Sequence, residues 1–321
     1  MVEQQRLRPL VEGALMAAIT AVFGMISLNF PVMSFLTDFL WGIPIIVVFI
    51  RHDWRIGTMS LTVAALLTLM LTEPVMAGLL FIQLAPVAVV YGMMFKKKYP
   101  AGQILLSGTV VTLLAEAVVL FLLMYVQRNV FHFGEELNRQ AQEVVGLLKR
   151  SGLMEYYRKN GVDEAALKQM IASSIMLLPG SFILAAGFKA VLTYFVSARV
   201  LERLSLGSFR LPPFGDWHLP WYASWSLLAG LLLTLAGDQY GMPVLATVGK
   251  NIVFICFPIF FIIGLAVAVH FFRRWMLAGW VKTLLIIIAV LNFSGTILLL
   301  TGLGIFDPLI AFRARGKTQD Q

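Results

Sequence analysis

Apolar positions in this chain form long runs, and polar residues gather between them. The runs cover about 11–30, 34–50, 57–72, 75–95, 103–126, 171–197, 221–236, 243–271 and 276–303. Each is close to the ~20 apolar residues that a helix needs to cross a hydrocarbon core. A membrane β-barrel would alternate polar and apolar residues. The stretch LLFIQLAPVAVVYGMMF does not alternate. The pattern predicts an all-α, polytopic transmembrane helix bundle of about nine spans, with eight to ten as the range. The turns are equally legible: Pro31 closes the first span, Glu73-Pro74 divides the third from the fourth, and GDQYG follows the seventh. The last run is read as breaking near Asn292 to Gly295 and continuing to Phe312 as a second, shorter helix.

One segment has another period. In 127–170, Leu137, Ala141, Val144, Val145 and Leu148 recur at helical spacing, with Glu135, Glu136, Arg139, Glu143 and Lys149 mostly elsewhere. Such a helix lies along a membrane interface or caps a bundle. Gly161 is expected to separate it from a second short helix. The expected domains are a six-span core, 1–200, that includes this insertion, and a C-terminal bundle, 201–321, of two to four spans and a basic tail.

Composition agrees with the pattern. Hydrophobic residues make up 59% of the chain and charged ones 13%, against roughly 25% charged in soluble domains. No cleavable signal peptide is evident. The single Cys256 excludes an intramolecular disulfide and a cysteine-built metal site. The net charge of +8 orients the chain rather than recruiting nucleic acid. With the N-terminus inside, Arg6, Arg8, Arg51, Arg55, Lys96, Lys97, Lys98, Arg199, Arg203, Arg210, Arg273 and Arg274 are all cytoplasmic. The short outer turns, 31–33, 73–74 and 237–242, then hold no Lys or Arg, and 127–170 is extracytoplasmic. The expected location is a bacterial inner membrane, multi-pass, and the tail with Arg313, Arg315 and Lys317 is placed on the cytoplasmic side.

Polar groups at membrane depth need partners there, so they are the candidates for function. Glu116 lies near the middle of the fifth span, and Lys189 lies in the sixth at a depth its side chain can bridge. Lys189 can also snorkel outward. Lys250 and Asn251 lie in the outer third of the eighth span, and Gln83 and Asn292 are expected to bond between helices. No HExxH, GxSxG, Walker loop or metal-spaced histidine cluster occurs. A non-enzymatic protein without cofactor or metal is expected.

The first span sorts into two faces. Gly13, Ala14, Ala17, Ala18, Thr20, Ala21, Gly24 and Ser27 share one half of the helix. Small residues four apart allow close backbone approach in a bilayer, either within the bundle or to a separate protein.

Ala14-x-x-x-Ala18 and Ala17-x-x-x-Ala21 resemble the first span of substrate-binding (S) components of energy-coupling-factor transporters. There the motif docks a transmembrane coupling (T) subunit seated on two ATPases. The tail GLGIFDPLIAFRARGK, with Gly304, Asp307, Phe312 and Arg313, resembles the end of the YybS-like family of bacterial membrane proteins, whose N-terminal part is itself similar to S components. The resemblance implies a partner-docking face of Gly13, Ala14, Ala17, Ala18, Ala21 and Gly24. It also implies a ligand site near the outer face, which by position takes in Asp38, Lys250 and the 127–170 segment. The leading expectation is a transport-associated subunit that binds a small solute. The alternatives are a scaffold or regulator without transported ligand, and a proton-coupled carrier using Glu116.

Overall fold

The computed structural model describes residues 2–126, 133–274 and 278–310. Among them every regular element is helical, and eight helical stretches are long and apolar enough to cross a membrane. The chain divides into two units, Met1–Phe133 with Phe182–Arg210, and Gly134–Ser181 with Leu211–Gln321. The segment read from sequence as an insertion in a 1–200 core thus groups with the C-terminal helices. The tail from residue 311, with Phe312 and Arg313, lies outside the described residues.

The first unit holds α1 (Val2–Asn29), α2 (Pro31–Leu40), α3 (Ile43–Arg51), α4 (Trp54–Leu71), α5 (Pro74–Lys96), α6 (Ala101–Val126) and most of α10 (Leu178–Arg203). Glu73 caps α5, its carboxylate accepting from the Val75 and Met76 amides. The core is aromatic: Phe49, Trp41, Tyr91, Phe95 and Tyr194 are fully buried. Tyr91 Oη donates to the Ala190 carbonyl at 2.7 Å. A Cβ on Gly108 would overlap the Tyr91 ring, so the α5–α6 seam requires glycine there.

The second predicted span, Val32–Arg51, is kinked. α2 ends at Leu40 and α3 begins at Ile43, while Trp41 and Gly42 between them keep right-handed helical dihedrals. Pro44 has no N–H, so the Leu40 carbonyl lacks its helical partner. At membrane depth such a kink persists only where protein covers it, and Trp41 is 0% exposed.

The second unit holds α7 (Phe133–Arg150), α8 (Leu153–Lys159), α9 (Glu164–Ile175), α11 (Ala223–Gln239), α12 (Pro243–Arg274), α13 (Gly279–Leu291) and α14 (Phe293–Ile310). Its helices meet backbone to backbone. A Cβ on Gly264 would overlap the Leu300 carbonyl, and one on Gly304 the Phe260 carbonyl. A Cβ on Gly249 would likewise overlap the Thr234 amide. The last span does break at Asn292, whose φ of −106° and ψ of 57° leave the helical region. α13, at 13 residues, is ~20 Å long, short of the ~30 Å hydrocarbon core.

Two boundaries differ from the sequence reading. The amphipathic segment is three helices, because Gly152 (φ +73°) turns the chain as well as Gly161 (φ +81°), a conformation glycine adopts without penalty. On α7, Val145 is buried and Leu148 half-buried, whereas Val144 is exposed; the side chains of Leu137 and Ala141 are not among those described. The start predicted for the sixth span, residue 171, belongs to α9. That helix is capped by Asp163, which accepts from the Ala166 amide at 2.7 Å. α10 starts instead at Leu178-Pro179, and proline is tolerated in a first turn.

Candidate functional site

Three charged side chains converge inside the first unit. Glu116 is 15 residues from the start of α6 and 10 from its end, or ~22 and ~15 Å along the axis. Lys189 is 11 and 14 residues from the ends of α10, again deep within a span. Its Nζ lies 3.3 Å from Asp38 Oδ2 and 3.8 Å from Glu116 Oε1. Asp38 is in the last turn of α2, one turn before the kink. Ser27 Oγ, on α1, donates to Asp38 Oδ1 at 3.0 Å, and the Gln83 side chain, on α5, hydrogen-bonds Glu116. Five helices therefore supply the cluster.

Side-chain exposure is 16% for Lys189, 18% for Glu116 and 29% for Asp38, so each ion has lost most of its water. Taking a charge out of water costs several kcal/mol after relaxation unless partners compensate. Here the lysine faces both carboxylates, and a neutral donor serves each carboxylate in turn. With all three ionised the cluster carries one net negative charge. Beside it lies a cleft of about 10 Å³, lined by Asp38, Trp41, Gly42, Leu84, Lys189 and Thr193. That is room for about one water. The Trp41 indole N–H is buried without a hydrogen-bond partner among the described residues.

The structure thus brings together three of the residues singled out from sequence, Glu116, Lys189 and Asp38. Lys189 turns inward to the carboxylates rather than snorkelling outward. Lys250 and Asn251 belong to the second unit. Lys250 Nζ pairs with Asp238 Oδ1 at 3.1 Å. Asn251 is buried; its Oδ1 accepts from the Gly180 amide at 2.6 Å, and its Nδ2 donates to the Met176 and Thr247 carbonyls at 2.7 and 2.8 Å. It ties the α9–α10 turn to α12. Ser27, Trp41 and Thr193 carry no site signal in the sequence. Ser27 lies on the small-residue face, and only the tertiary fold shows its partner.

The small-residue face of α1 is divided. Ala17 is 0% and Ala21 3% exposed. Gly13 packs on Ser60 and Ile56, and Gly24 on Thr68 and Trp41, so α4 and the α2–α3 kink occupy that half. Ala14 and Ala18 remain exposed, in line with Val11 and Val22.

Apolar helices of spanning length, with charges paired at their middle, define a polytopic α-helical membrane protein. The chain belongs to the family described as predicted membrane protein DUF2232, whose model matches residues 18–308. It is similar to the uncharacterised protein YybS of Bacillus subtilis, with 22% identity over 319 residues, covering 97% of this chain and 99% of that protein. No solved structure matches.

Proposed function

We propose that this protein is a non-enzymatic, transport-associated subunit of a bacterial cytoplasmic membrane, and that the Asp38–Glu116–Lys189 cluster binds a small solute. The observation that carries the reading is the meeting of two carboxylates and one lysine at membrane depth, beside a kinked span. Ionisable groups inside spans mark substrate and ion pathways. Lys189 pairs internally with both acids. A solute bearing an ammonium group competes with Lys189 for them, and the net negative charge of the cluster favours a cationic or zwitterionic solute. The Lys and Arg distribution supports a cytoplasmic N-terminus.

The exposed Ala14 and Ala18 are the part of α1 left for a T-type coupling subunit with its ATPases. Leucine at these two positions should abolish co-purification of such a subunit while the fold is retained. Leucine at Ala17 or Ala21 instead disrupts the packing against α4.

The solute claim is tested by thermal unfolding in nanodiscs against a panel of small amines, amino acids and inorganic cations. At least one compound should stabilise wild type and leave the neutral variant Asp38→Asn/Glu116→Gln/Lys189→Met unmoved. Equal shifts in both proteins, or none in wild type, remove the solute reading.

A second reading, proton carriage by Glu116, draws support from the water-sized cleft beside the cluster. Glu116→Gln should then abolish proton uptake in proteoliposomes; unchanged uptake removes this reading.

A further inference from the structure

A second cavity lies in the first unit where α5 passes to α6 beside the end of α10. It has a volume of about 300 Å³ and is lined by Lys98, Tyr99, Ala101, Tyr194, Ser208 and Arg210, among others. Its position is interfacial, because the spans ending at Lys96 and Arg203 and the one starting at Ala101 all terminate there.

Its walls are built for an anion. Lys98 is held at φ +54°, a region L residues seldom occupy, and this turns the chain from α5 into α6. Among the described residues neither the Lys98 ammonium nor the Ser208 hydroxyl has a partner. Arg210 is steadied by Glu202, with Nε 3.1 Å from its carboxylate, and its remaining N–H groups are left for another acceptor. Lys96, Lys97, Arg199 and Arg203 stand at the same chain ends and are exposed. The wall opposite is apolar and rigid: Tyr194 Oη donates to the Phe209 carbonyl at 2.9 Å, and the Phe209 ring packs on Phe95. The first amides of α6, Ala101 and Gly102, have no helical acceptor and add donors.

We propose that this cavity binds a phosphate group, carried by a phospholipid headgroup or by a soluble phosphate ester. Basic pockets between spans at a membrane surface take such groups. The site is independent of the buried charge cluster and does not rest on the solute reading.

The test is thermal unfolding of the full chain in detergent with three additives: phosphatidylglycerol, diacylglycerol and glycerol 3-phosphate. Phosphatidylglycerol or glycerol 3-phosphate should raise the wild-type Tm; whichever acts identifies the source of the phosphate. Lys98→Gln/Ser208→Ala should need about five-fold more of that additive for the same shift, at the usual worth of one interfacial cation. Lys98→Gly, which suits the same backbone, should behave likewise, and Lys97→Gln, outside the cavity, should respond as wild type. The proposal is overturned if neither phosphate carrier shifts wild type, if diacylglycerol matches phosphatidylglycerol, or if the Lys98 variants respond as wild type does.

Discussion

The two units of this protein solve the same problem differently. Lipid is as apolar as leucine, so hydrophobicity does not hold spans together. The second unit answers with glycine: α12 and α14 meet where Gly264 and Gly304 let one backbone rest on the other. The first unit answers with large aromatic side chains locked by hydrogen bonds, such as Tyr91 on the Ala190 carbonyl, and it also tolerates three charges at depth. Glycine seams explain cohesion and need nothing more. A charge cluster is a poor route to stability, because neutral replacements of similar volume are often as stable. Its presence at membrane depth therefore points to a role other than holding helices together.

The contrast can be broken most sharply at the glycine seam. Gly264→Leu or Gly304→Leu should destabilise the protein by about 3 kcal/mol, the upper range for overpacking, read as Tm or folded yield. Gly302→Leu, whose added Cβ meets nothing within 4 Å, should be close to neutral. A neutral outcome at Gly264 would remove the claim of backbone-on-backbone packing.

The charge cluster gives an effect of similar size that can be reversed. Lys189→Met alone leaves two buried carboxylates facing each other and should cost about 3–5 kcal/mol. Adding Asp38→Asn and Glu116→Gln should recover most of that loss. Failure of the triple variant to recover would show that the lysine serves packing rather than charge.

The smallest effect lies in the second unit's exposed helices. Glu164 hydrogen-bonds Lys149 at 2.6 Å and pairs with Lys168 at 3.0 Å. Those hydrogen bonds, Lys149 first, hold its carboxyl below the usual carboxylate value. A lowered folded-state value means that the contribution is complete above the ordinary carboxylate range and is lost as pH falls through the lowered value. Amide exchange at the start of α9 should therefore quicken on acidification in wild type, beyond its intrinsic pH dependence, and lose that dependence in Glu164→Gln.

Much of this architecture is legible in the sequence because spans are set by uninterrupted apolar length. Breaks are less so. Pro44 accompanies the α2–α3 kink, yet Pro86 and Pro258 sit inside continuous helices, so proline alone does not mark a break. The pairing of Glu116 with Lys189 follows from matched depth. Asp38 joins them through tertiary packing, with Lys189 on one oxygen and Ser27 on the other, which no local pattern encodes. The small-residue face likewise announces close approach without naming the neighbour, and α4 takes half of it.

The measurement closest to the central claim is an infrared difference spectrum taken as a stabilising solute is added to the protein in nanodiscs. Carboxylate bands of Asp38 and Glu116, assigned with Asp38→Asn and Glu116→Gln, should shift as the solute replaces Lys189 beside them. A solute that stabilises the protein while those bands stay unchanged would contradict the account.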